Sequence, residues 1–414
     1  MGNADMGWRN VTIIGAGASG LMAAICAARC GADVTVLEHM SEAGIKLSLT
    51  GNGRCNYTNT DVSGRRNAFW DDADPDVSGR SAGDRAGGAA DVRHYHSLGE
   101  FADKAYFKTF VGEILNTFDY ERCIGFFKEL GIEPAVRHYD FDDYGYVYPL
   151  DMDARGFRDV LVDEAKRIGV KFRYKVSSEE LKSVFEELID IGESKAGSEK
   201  KAAARMRDNK NVLILACGSN AYPATGSDSS IYPFIKRLGL KFNTFLPALC
   251  ALYSKDEQLR SYKGKRVRGT VTLDIYPGTS QALLEQSKPE QNKSEHYECY
   301  GEIQFNEHSI SGIPVMQLSG YAAEALKMGK RAVLTADGHE FEIHRTAGFD
   351  KSQVCRGGID ISEINPYSMG CLRAPGVYVC GELLDVDGDC GGFNLHFAWA
   401  TGFIAGIHAA MRGW

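Results

Sequence analysis

The 414-residue sequence predicts an α/β fold that is interrupted by a smaller, mostly β region. An apolar run, VTII at residues 11–14, ends at GAGASG, and a helical stretch and a second strand, DVTVLE, follow it. Residues 246–345 contain several strand-like runs, and the chain then returns to a buried-strand pattern in GVYVCGE before an apolar terminal helix. We therefore expect a first domain part over 1–245, an inserted β-rich domain over 246–345 and a C-terminal part over 346–414.

Between these landmarks the spacing of apolar residues predicts further elements. We expect helices within 100–131 and over 154–168, strands at VKFRYKV and NVLILAC, an exposed insertion at 63–92, and polar hairpin tips or linkers at 193–210 and 285–297.

Composition and charge narrow the class of protein. A net charge of −8 and a pI near 5.8 disfavour nucleic acid or an anionic membrane as the main partner. The basic run in SYKGKRVRGTVTL alternates like a half-exposed strand, which favours a solvated face. Eleven cysteines without a CxxC pair, and a polar N-terminus without a signal-peptide pattern, predict a cytoplasmic protein with no metal site.

The glycine-rich segment after the first strand predicts a dinucleotide site. Gly15, Gly17 and Gly20 form GxGxxG between a strand and a helix, and Glu38 closes the second strand. Such glycines allow a tight turn, close approach of a pyrophosphate and close helix packing, while the acid binds ribose hydroxyls. A glycine-rich turn without a ligand is the alternative. The expected cofactor contacts here are Gly15, Ala16, Gly17, Ala18, Ser19, Gly20 and Glu38.

The C-terminal segment decides between NAD and FAD. GVYVCGELLDVDGDCGGFNLH joins a strand, an acidic loop, a glycine pair and a helix, as in FAD enzymes of the glutathione-reductase type. Glu382, after Gly381, would bind the ribityl chain, and the helix that begins around Gly392 would stabilise negative charge on the reduced flavin. A structural turn before a buried helix is the alternative.

The segment LSLTGNGRCNYTN at residues 47–59 predicts a second ligand-facing loop. Gly51 and Gly53 let the backbone come close to a ligand, and Asn56 offers a neutral amide. Arg54 would neutralise phosphate or hold an anionic substrate. Cys55 lacks a partner cysteine, so we favour a packed thiol without redox function. A tightly bonded asparagine turn remains the alternative.

On these residues the sequence resembles the BaiN-type (YhiN-like) bacterial NAD(P)/FAD-dependent flavoproteins. The resemblance covers nearly the whole chain and rests on IIGAGASGLMAA, GIKLSLTGNGRCNYTN, GYVYPLDMDA, ACGSNAYPATGS, GEIQFNEHSISGIPVMQLS and GELLDVDGDCGGFNLHFAWATGFIAG. It implies an FAD-binding Rossmann-like domain of the glutathione-reductase type, interrupted by a smaller, mostly β domain. The FAD contacts that it implies, besides the first glycine loop and Glu38, are Lys46, Leu47, Val176, Glu382, Asn394 and Leu395. We add Gly218 and Asp387 to the candidate cofactor contacts.

Two departures from the family pattern fall on the expected substrate side. The usual ATGG is Ala216-Cys217-Gly218-Ser219, and an element with Thr-His-Phe-Gly is Asn306-Glu307-His308-Ser309. Substrate identity is therefore the least transferable expectation.

The leading functional prediction is an FAD-dependent oxidoreductase that transfers hydride between flavin N5 and a small organic substrate. NAD(P)H-linked reduction of an activated C=C bond is favoured; because a second GxGxxG is missing, NAD(P)H would bind transiently. An amine or alcohol oxidase that uses O2, an RNA-modifying flavoprotein and a redox-silent FAD-binding protein are alternatives. The candidate acid–base residues are His308, His396 and Tyr148. The sequence does not specify an oligomeric state.

Overall fold

The computed structural model describes residues 9–62, 92–98, 104–139, 145–191, 204–208, 210–278 and 295–411. The insertion expected at 63–92 lies outside these residues except for Val92, and so do most of the polar segments expected at 193–210 and 285–297.

The secondary structure alternates between helices and strands along most of the described chain. The strands are β1 Asn10–Ile14, β2 Asp33–Leu37, β3 Thr58–Asn59, β4 Tyr95–His96, β5 Pro134–His138, β6 Gly145–Pro149, β7 Lys171–Arg173, β8 Ile189–Ile191, β9 Ala204–Met206, β10 Asn211–Leu215, β11 Phe242–Ala248, β12 Leu252–Ser254, β13 Arg266–Tyr276, β14 Glu295–Phe305, β15 Ser309–Ser311, β16 Arg331–Ala336, β17 His339–Thr346, β18 Val354–Ile359, β19 Val377–Val379 and β20 Asp387–Gly388. The helices are α1 Ala18–Arg29, the short turn α2 Thr50–Gly53, α3 Lys104–Thr117, α4 Tyr120–Glu129, α5 Ala154–Arg167, α6 Ser178–Leu188, α7 Tyr232–Arg237, α8 Ile313–Lys327 and α9 Phe393–Ala410.

The chain forms two compact units. The first unit consists of Met1–Gly218, Ser229–Asn243 and Gly358–Trp414, and the second consists of Ser219–Asp228 and Thr244–Gly357. The domain boundaries expected from the sequence, 1–245, 246–345 and 346–414, remain predictions.

The first unit contains a five-stranded parallel sheet in the order β19-β10-β1-β2-β7. The central strand β1 is paired on both sides, with Val11 opposite Val34 on β2 and Val212 on β10. Strands buried on both faces are rich in Val, Ile and Leu, as VTII and NVLIL are. Parallel strands end at one edge of a sheet, so the segments that follow β1, β2, β10 and β19 meet there.

Two helices of this unit pack unusually closely because small residues line their contact. A Cβ at Gly402 of α9 would lie 2.4 Å from the Ser19 carbonyl oxygen of α1. A Cβ at Gly406, one turn later, would lie 2.5 Å from the Ala23 carbonyl oxygen. Only glycine at both positions permits this approach, which fixes the start of α9 relative to the start of α1.

Short antiparallel strands surround the start of α9. In the sheet β3-β6-β5, Thr58 lies opposite Val147 and Asn59 opposite Tyr146. Strand β4 pairs with β20, which places His96 opposite Asp387. Residues from distant parts of the sequence therefore meet near the glycine pair that precedes α9.

The second unit is a closed antiparallel barrel in the order β12-β15-β14-β13-β16-β17. The half-exposed strand predicted around the basic run is β13. The sequence analysis missed α8, whose Val315, Leu318 and Ala322 belong to the buried core of this unit. Its IPVMQLSGYAAEALK is rich in small residues that weaken the apolar periodicity.

Two further observations concern the end of β7 and the lengths of the helices. The strand expected at VKFRYKV is shorter, because Lys175 takes a left-handed conformation with φ of 57° and its N–H donates to the Met40 carbonyl. Within the described ranges, no helix is both long enough and apolar enough to cross a membrane.

Candidate functional site

The three glycines of the first loop have three different physical roles. Gly15 has φ of +98°, and a Cβ there would lie 2.5 Å from the Ala216 carbonyl oxygen. A Cβ at Gly20 would lie 2.0 Å from the Gly15 carbonyl oxygen, so α1 could not approach β1. A Cβ at Gly17 would have no described atom within 4 Å, so this side of the loop is open to a ligand.

Helix α1 begins without a competing negative group. Gly17 is its N-cap, and within the described chain neither a side-chain cap nor an acidic residue in the first turn satisfies the free N–H groups. Ala18 and Ser19 form that first turn. A helix N-terminus of this kind has a partial positive charge and unpaired donors, which suit a phosphate.

Glu38 is held in place at the end of β2. One carboxylate oxygen accepts from the Ala16 N–H and the other from the Met40 N–H, each at 2.8 Å. The Val176 N–H donates to the Glu38 carbonyl at 3.1 Å. Each carboxylate oxygen keeps a second lone pair, so an oriented acceptor for ribose hydroxyls lies beside the glycine loop.

A salt bridge joins two predicted cofactor residues that lie far apart in sequence. Lys46 Nζ lies 2.8 Å from Glu382 Oε2, and both side chains are partly buried. Leu47 is buried next to Lys46. Gly381, before Glu382, has φ of +72°, and a Cβ there would lie 2.3 Å from Ser19 Oγ at the start of α1. The segments after β2 and β19 therefore meet where α1 begins.

The loop after Lys46 follows an unusual left-handed path. Gly51, Asn52 and Gly53 have φ of 57°, 55° and 81°, and Cys55 has φ of 57°. Residues with side chains adopt this conformation at a cost of about 1 kcal/mol or more, which is often found at functional sites.

Cys55 is fully buried in this loop. Burial raises the pKa of its thiol to about 12. At neutral pH it is a protonated thiol and a poor nucleophile. None of the eleven cysteines forms a disulfide bond, so Cys55 is not cross-linked.

The start of α9 is shaped by the segment that follows Cys55. Gly392, its N-cap, has φ of +95°, and a Cβ there would lie 2.5 Å from the Thr58 carbonyl oxygen and 2.9 Å from Asn56 Oδ1. Asn59 Nδ2 donates to the Gly391 carbonyl at 2.8 Å. As at α1, no side-chain cap or first-turn acid from the described residues occupies the N-terminus of α9.

One side-chain oxygen at this point accepts no hydrogen bond from the described residues. Asn56 Oδ1 is buried and has no hydrogen-bond partner among the described residues. Such an atom costs about 1–3 kcal/mol unless it is paired. A ligand donor would satisfy it.

Asn394 and its neighbours form a tight turn before α9. Asn394 Nδ2 donates to the Gly388 carbonyl at 2.7 Å, and Asn394 Oδ1 accepts from the Gly388 N–H at 2.8 Å. Asp387 is buried in β20, and Leu395 packs partly buried against the core. The amide of Asn394 is thus engaged in shaping the turn, and its predicted FAD contact stays a prediction.

The environment of His396 favours a structural role over the predicted catalytic one. Its Nε2 lies 2.8 Å from the Phe118 carbonyl oxygen, so that nitrogen has the proton, and Nδ1 accepts from Thr58 Oγ1 at 2.8 Å. Burial lowers the pKa of His396 to about 4. The ring is therefore neutral near pH 7 with both nitrogens engaged.

Tyr148 and Arg54 form a contact at the edge of this region. The Arg54 guanidinium carbon lies 5.5 Å from the centre of the Tyr148 ring, and Arg54 Nε donates to the Gly51 carbonyl at 3.2 Å. Burial raises the pKa of the Tyr148 phenol well above its ordinary value, and Tyr148 is hydrogen-bonded to Tyr139. Tyr148 is therefore a protonated phenol beside an exposed cation.

Two residues that the sequence predicted for the site, His308 and Gly218, are not among the contacts described above. His308 belongs to the second unit, where its side chain is 58% exposed and its Nε2 lies 3.7 Å from Glu307 Oε1. Gly218 ends the first segment of the first unit with φ of +70°. The catalytic role of His308 and the cofactor contact of Gly218 remain predictions.

A cluster of histidines and carboxylates near α9, around the buried His94, was not predicted from the sequence. His94 lies 3.0 Å from Asp389 and 3.2 Å from Asp61, and His96 lies 3.1 Å from Asp389. The only sequence signal was the HYH spacing, which places both histidines on one face of a strand. In the described ranges, no group of three or more His, Cys, Asp or Glu side chains is arranged to hold a metal ion.

The residues of the first unit fit FAD. Two uncapped helix N-termini, an oriented carboxylate at Glu38, open space at Gly17 and the unpaired Asn56 Oδ1 suit an extended ligand with a pyrophosphate and hydrogen-bonding groups at both ends. When bound, FAD would be held at the start of α1 and by Glu38 at one end, and at the start of α9 at the other.

The fold and this site define the class of protein: an FAD-dependent oxidoreductase with a Rossmann-type FAD-binding domain and a small β-barrel insert. The family model described as HI0933-like protein Rossmann domain matches residues 9–71 and 79–408, and the chain belongs to this family.

Named relatives match the chain over nearly its full length. A 3-dehydro-bile acid delta(4,6)-reductase from Clostridium scindens is 29% identical over 97% of this chain and 99% of the relative. A ribosomal RNA dihydrouridine synthase from Escherichia coli is 23% identical over 94% of this chain and 95% of the relative. A solved 3-ketosteroid-delta4-(5alpha)-dehydrogenase from Rhodococcus jostii RHA1 matches 99% of both chains with 15% identity and a TM-score of 0.44.

These findings confirm three predictions from the sequence: the BaiN-type resemblance, the interrupted Rossmann-like fold and the assignment as an FAD-dependent oxidoreductase. FAD as the cofactor is likewise supported by the family. The individual cofactor contacts remain predictions.

Proposed function

We propose that the protein reduces an activated C=C bond, one conjugated to a carbonyl group, in a small organic molecule, with NAD(P)H as a transient electron donor. The full-length similarity to a delta(4,6)-reductase of a 3-dehydro-bile acid supports this reaction class. The name of the dihydrouridine synthase also implies addition of hydrogen across a C=C bond. When bound, FAD supplies the hydride-transfer chemistry.

The observation that carries the proposal is an aromatic face beside the start of α9. A Cβ at Gly391 would lie 3.0 Å from Tyr146 Cε1, so the Tyr146 ring contacts the glycine pair. Tyr148 is two residues further along β6 and therefore on the same face of the strand. A planar, conjugated substrate would pack well on such rings.

Tyr148 is our candidate proton donor. Reduction of a conjugated C=C bond requires a proton as well as a hydride, and a hydrogen bond to the carbonyl oxygen activates the substrate. Because the pKa of Tyr148 is raised by burial, its O–H is intact at neutral pH. For either task it would exchange its hydrogen bond with Tyr139 for one to the substrate. His308, which is exposed and lies in the second unit, is the second candidate.

The experiment is an anaerobic two-step assay. The yellow protein is first titrated with NADH and NADPH to bleach the flavin, and the reduced protein is then mixed with 3-oxo-4-ene and 3-oxo-4,6-diene steroids. We expect the unsaturated ketones to restore the flavin absorbance and the matched saturated ketone to leave it bleached. Restoration by neither unsaturated ketone, together with bleaching by amines or alcohols and reoxidation by O2, would replace the proposal with the oxidase alternative.

Two variants test the assignment of the proton donor. Tyr148→Phe should slow substrate-dependent reoxidation by about 10²-fold or more while leaving bleaching by NAD(P)H unchanged. His308→Ala is the parallel variant, since it removes the other candidate. If Tyr148→Phe reoxidises at the normal rate, Tyr148 is not the donor.

We do not propose an RNA substrate, although a relative modifies ribosomal RNA. In the basic run of the second unit, Lys263 lies 2.7 Å from Glu307 and Lys265 lies 2.5 Å from Asp337. Arg266 lies 3.3 Å from Glu302. These ion pairs neutralise three of the four cations of the run, and the chain has a net charge of −8. Binding of an unmodified ribosomal RNA transcript at low salt, followed by formation of dihydrouridine, would overturn this part.

We also propose that the enzyme works in the cytoplasm. None of its eleven cysteines forms a disulfide bond, as expected in a reducing compartment. Cell fractionation with an antibody to the native protein tests the location.

A further inference from the structure

A buried histidine ties together two chain segments that define the start of α9. The His94 ring is almost fully buried, and its Nδ1 lies 3.0 Å from Asp389 Oδ2 while its Nε2 lies 3.2 Å from Asp61 Oδ2. The ring also stacks on Phe393, the first residue of α9, with centroids 4.3 Å apart and an interplanar angle of 19°. The imidazole therefore lies between two carboxylates and against the helix.

Each carboxylate belongs to a segment that shapes the N-terminus of α9. Asp61 follows β3, and its N–H donates to Asn59 Oδ1, while Asn59 Nδ2 donates to the Gly391 carbonyl. Asp389 lies in the turn before α9, and its N–H donates to the His94 carbonyl at 2.9 Å. Asn394 closes the same turn through the Gly388 and Asp389 carbonyls. A ring bonded to both carboxylates thus connects the two sides of this turn.

The protonation of His94 decides whether both connections exist. A doubly protonated ring donates one N–H to Asp389 and the other to Asp61. A neutral ring has one N–H. With that proton on Nδ1, the ring keeps its hydrogen bond to Asp389. Its Nε2 then accepts a hydrogen bond from Arg93 Nε, which lies 3.1 Å away. Arg93 also contacts Asp61 directly, so Asp61 has another partner when His94 releases it. The two protonation states therefore have different bonding partners.

The two carboxylates favour the protonated state, and the Arg93 cation, which donates to Nε2, opposes it. Burial by itself would lower the pKa of His94, but the hydrogen bonds to Asp389 and Asp61 outweigh it and raise the pKa. Burial would raise the pKa of Asp389, yet His94 and His96 together lower it to about 2. The titratable or charged groups that face this ring are Asp61, Arg93, His96 and Asp389, with the Tyr95 hydroxyl donating to the Phe393 carbonyl beneath the ring.

We propose that His94 is a positioning residue whose protonated ring holds the turn before α9, so that retention and reduction potential of FAD at the start of α9 depend on the protonation of His94. The inference rests on the FAD site described above. As pH rises and His94 loses its proton, its direct bond to Asp61 is lost. Asn59 and Arg93 then remain as the connections from that side of the turn. FAD affinity therefore falls as pH rises past the point at which His94 loses its proton.

The test measures FAD binding and midpoint potential across pH. FAD is removed from the protein and retitrated by flavin fluorescence between about pH 6 and about pH 9, and the potential is measured by dye equilibration. We expect the wild-type dissociation constant to rise about tenfold over this range, the effect of one charge-assisted hydrogen bond. The potential of the bound flavin should shift with the same pH midpoint.

Two variants remove the two partners of the switch independently. His94→Gln removes the titrating ring. Asp61→Asn removes the carboxylate to which the protonated ring donates and the neutral ring does not. Both should bind FAD with a flat pH profile in this range. His96→Gln is the matched control, because His96 contacts Asp389 but not Asp61, and it should keep the wild-type profile. Asp61→Asn keeps the inference testable if His94→Gln does not fold.

Nitrogen-15 spectra of histidine-labelled protein give a readout that does not depend on FAD. The signals that disappear in His94→Gln should show two protonated ring nitrogens at neutral pH and one at high pH. A single protonated nitrogen throughout, or a wild-type pH profile in both His94→Gln and Asp61→Asn, overturns the inference. If wild-type protein binds no FAD at any pH, the assignment of the FAD site fails instead.

Discussion

The two helices that begin at the FAD site, α1 and α9, both start at a glycine but are fixed in different ways. At α1 the constraints are mostly local, since Gly20 packs on the Gly15 carbonyl only five residues earlier. At α9 they are distant, since Gly392 packs on the Thr58 carbonyl and the preceding turn is bonded to Asn59 and His94. The local constraint at α1 can be recognised in the sequence as a motif. At α9, the sequence shows only a pair of glycines, and the residues that they contact cannot be read from it.

Gly17 and Gly20 belong to the same GxGxxG segment, and substituting each of them by alanine tests the local constraint at α1 most strongly. We expect Gly20→Ala to destabilise the protein by about 4 kcal/mol or more, because its Cβ would lie 2.0 Å from a backbone oxygen that cannot move away. Gly17→Ala is the matched control for folding, since its Cβ meets open space and its φ of −77° suits alanine. Thermal unfolding of both apo variants measures the difference.

Gly17→Ala has its own expected result in FAD binding. The added methyl group would occupy the space where the pyrophosphate approaches, so FAD affinity should fall about tenfold or more at unchanged apo stability. Normal FAD affinity in this variant would show that the pyrophosphate does not pass Gly17.

The distant constraint at α9 predicts a slightly smaller effect. Gly392→Ala should cost about 3 kcal/mol, because alanine at φ of +95° is strained and its Cβ would lie 2.5 Å from the Thr58 carbonyl oxygen. Denaturant unfolding of apo protein measures this cost, and flavin fluorescence measures FAD retention. Equal stability of variant and wild type would mean that the contact between β3 and the start of α9 is not tight.

Glu38 connects the first loop with the adenosine end of the site. Glu38→Ala should lower stability by roughly 2 kcal/mol, since the Ala16 and Met40 N–H groups lose their acceptor, and it should weaken FAD retention. Glu38→Gln retains one side-chain oxygen as an acceptor, so it should lose less stability and less FAD retention than Glu38→Ala. Full yellow colour of Glu38→Ala after dialysis would contradict the ribose-binding assignment.

A comparable effect is expected from acidification, through His396 under α9. Its pKa is lowered to about 4, below the ordinary value of about 6.5, so the unfolded chain takes up the proton first as pH falls. Stability should therefore decrease between about pH 6.5 and about pH 4, by about 2 kcal/mol at about pH 5. His396→Gln should flatten this slope in urea unfolding, whereas His308→Gln, at an exposed histidine, should keep it.

The sequence predicted the fold class and the five strands of the parallel sheet because their signals are local. The strand VTII, GxGxxG and Glu38 lie within one β-α-β segment, and the structure confirms that arrangement. The sequence analysis missed α8, in which small residues weaken the periodicity, and shortened strands such as β7 were not foreseen. It also missed the cluster around His94, because Asp61 and Asp389 are brought to that ring only by folding.

By itself, the sequence determined where the strands of the parallel sheet and the helix after GxGxxG form, and which glycines and acids stand at their ends, since steric freedom and apolar spacing act over a few residues. The tertiary structure alone decided that Lys46 meets Glu382 and that His94 lies between two carboxylates. It also decided that Asn56 Oδ1, beside Gly392, has no hydrogen-bond partner among the residues that the structure describes. These contacts join residues up to 336 positions apart, and the position of each depends on the packing of the whole unit rather than on its neighbours in the chain.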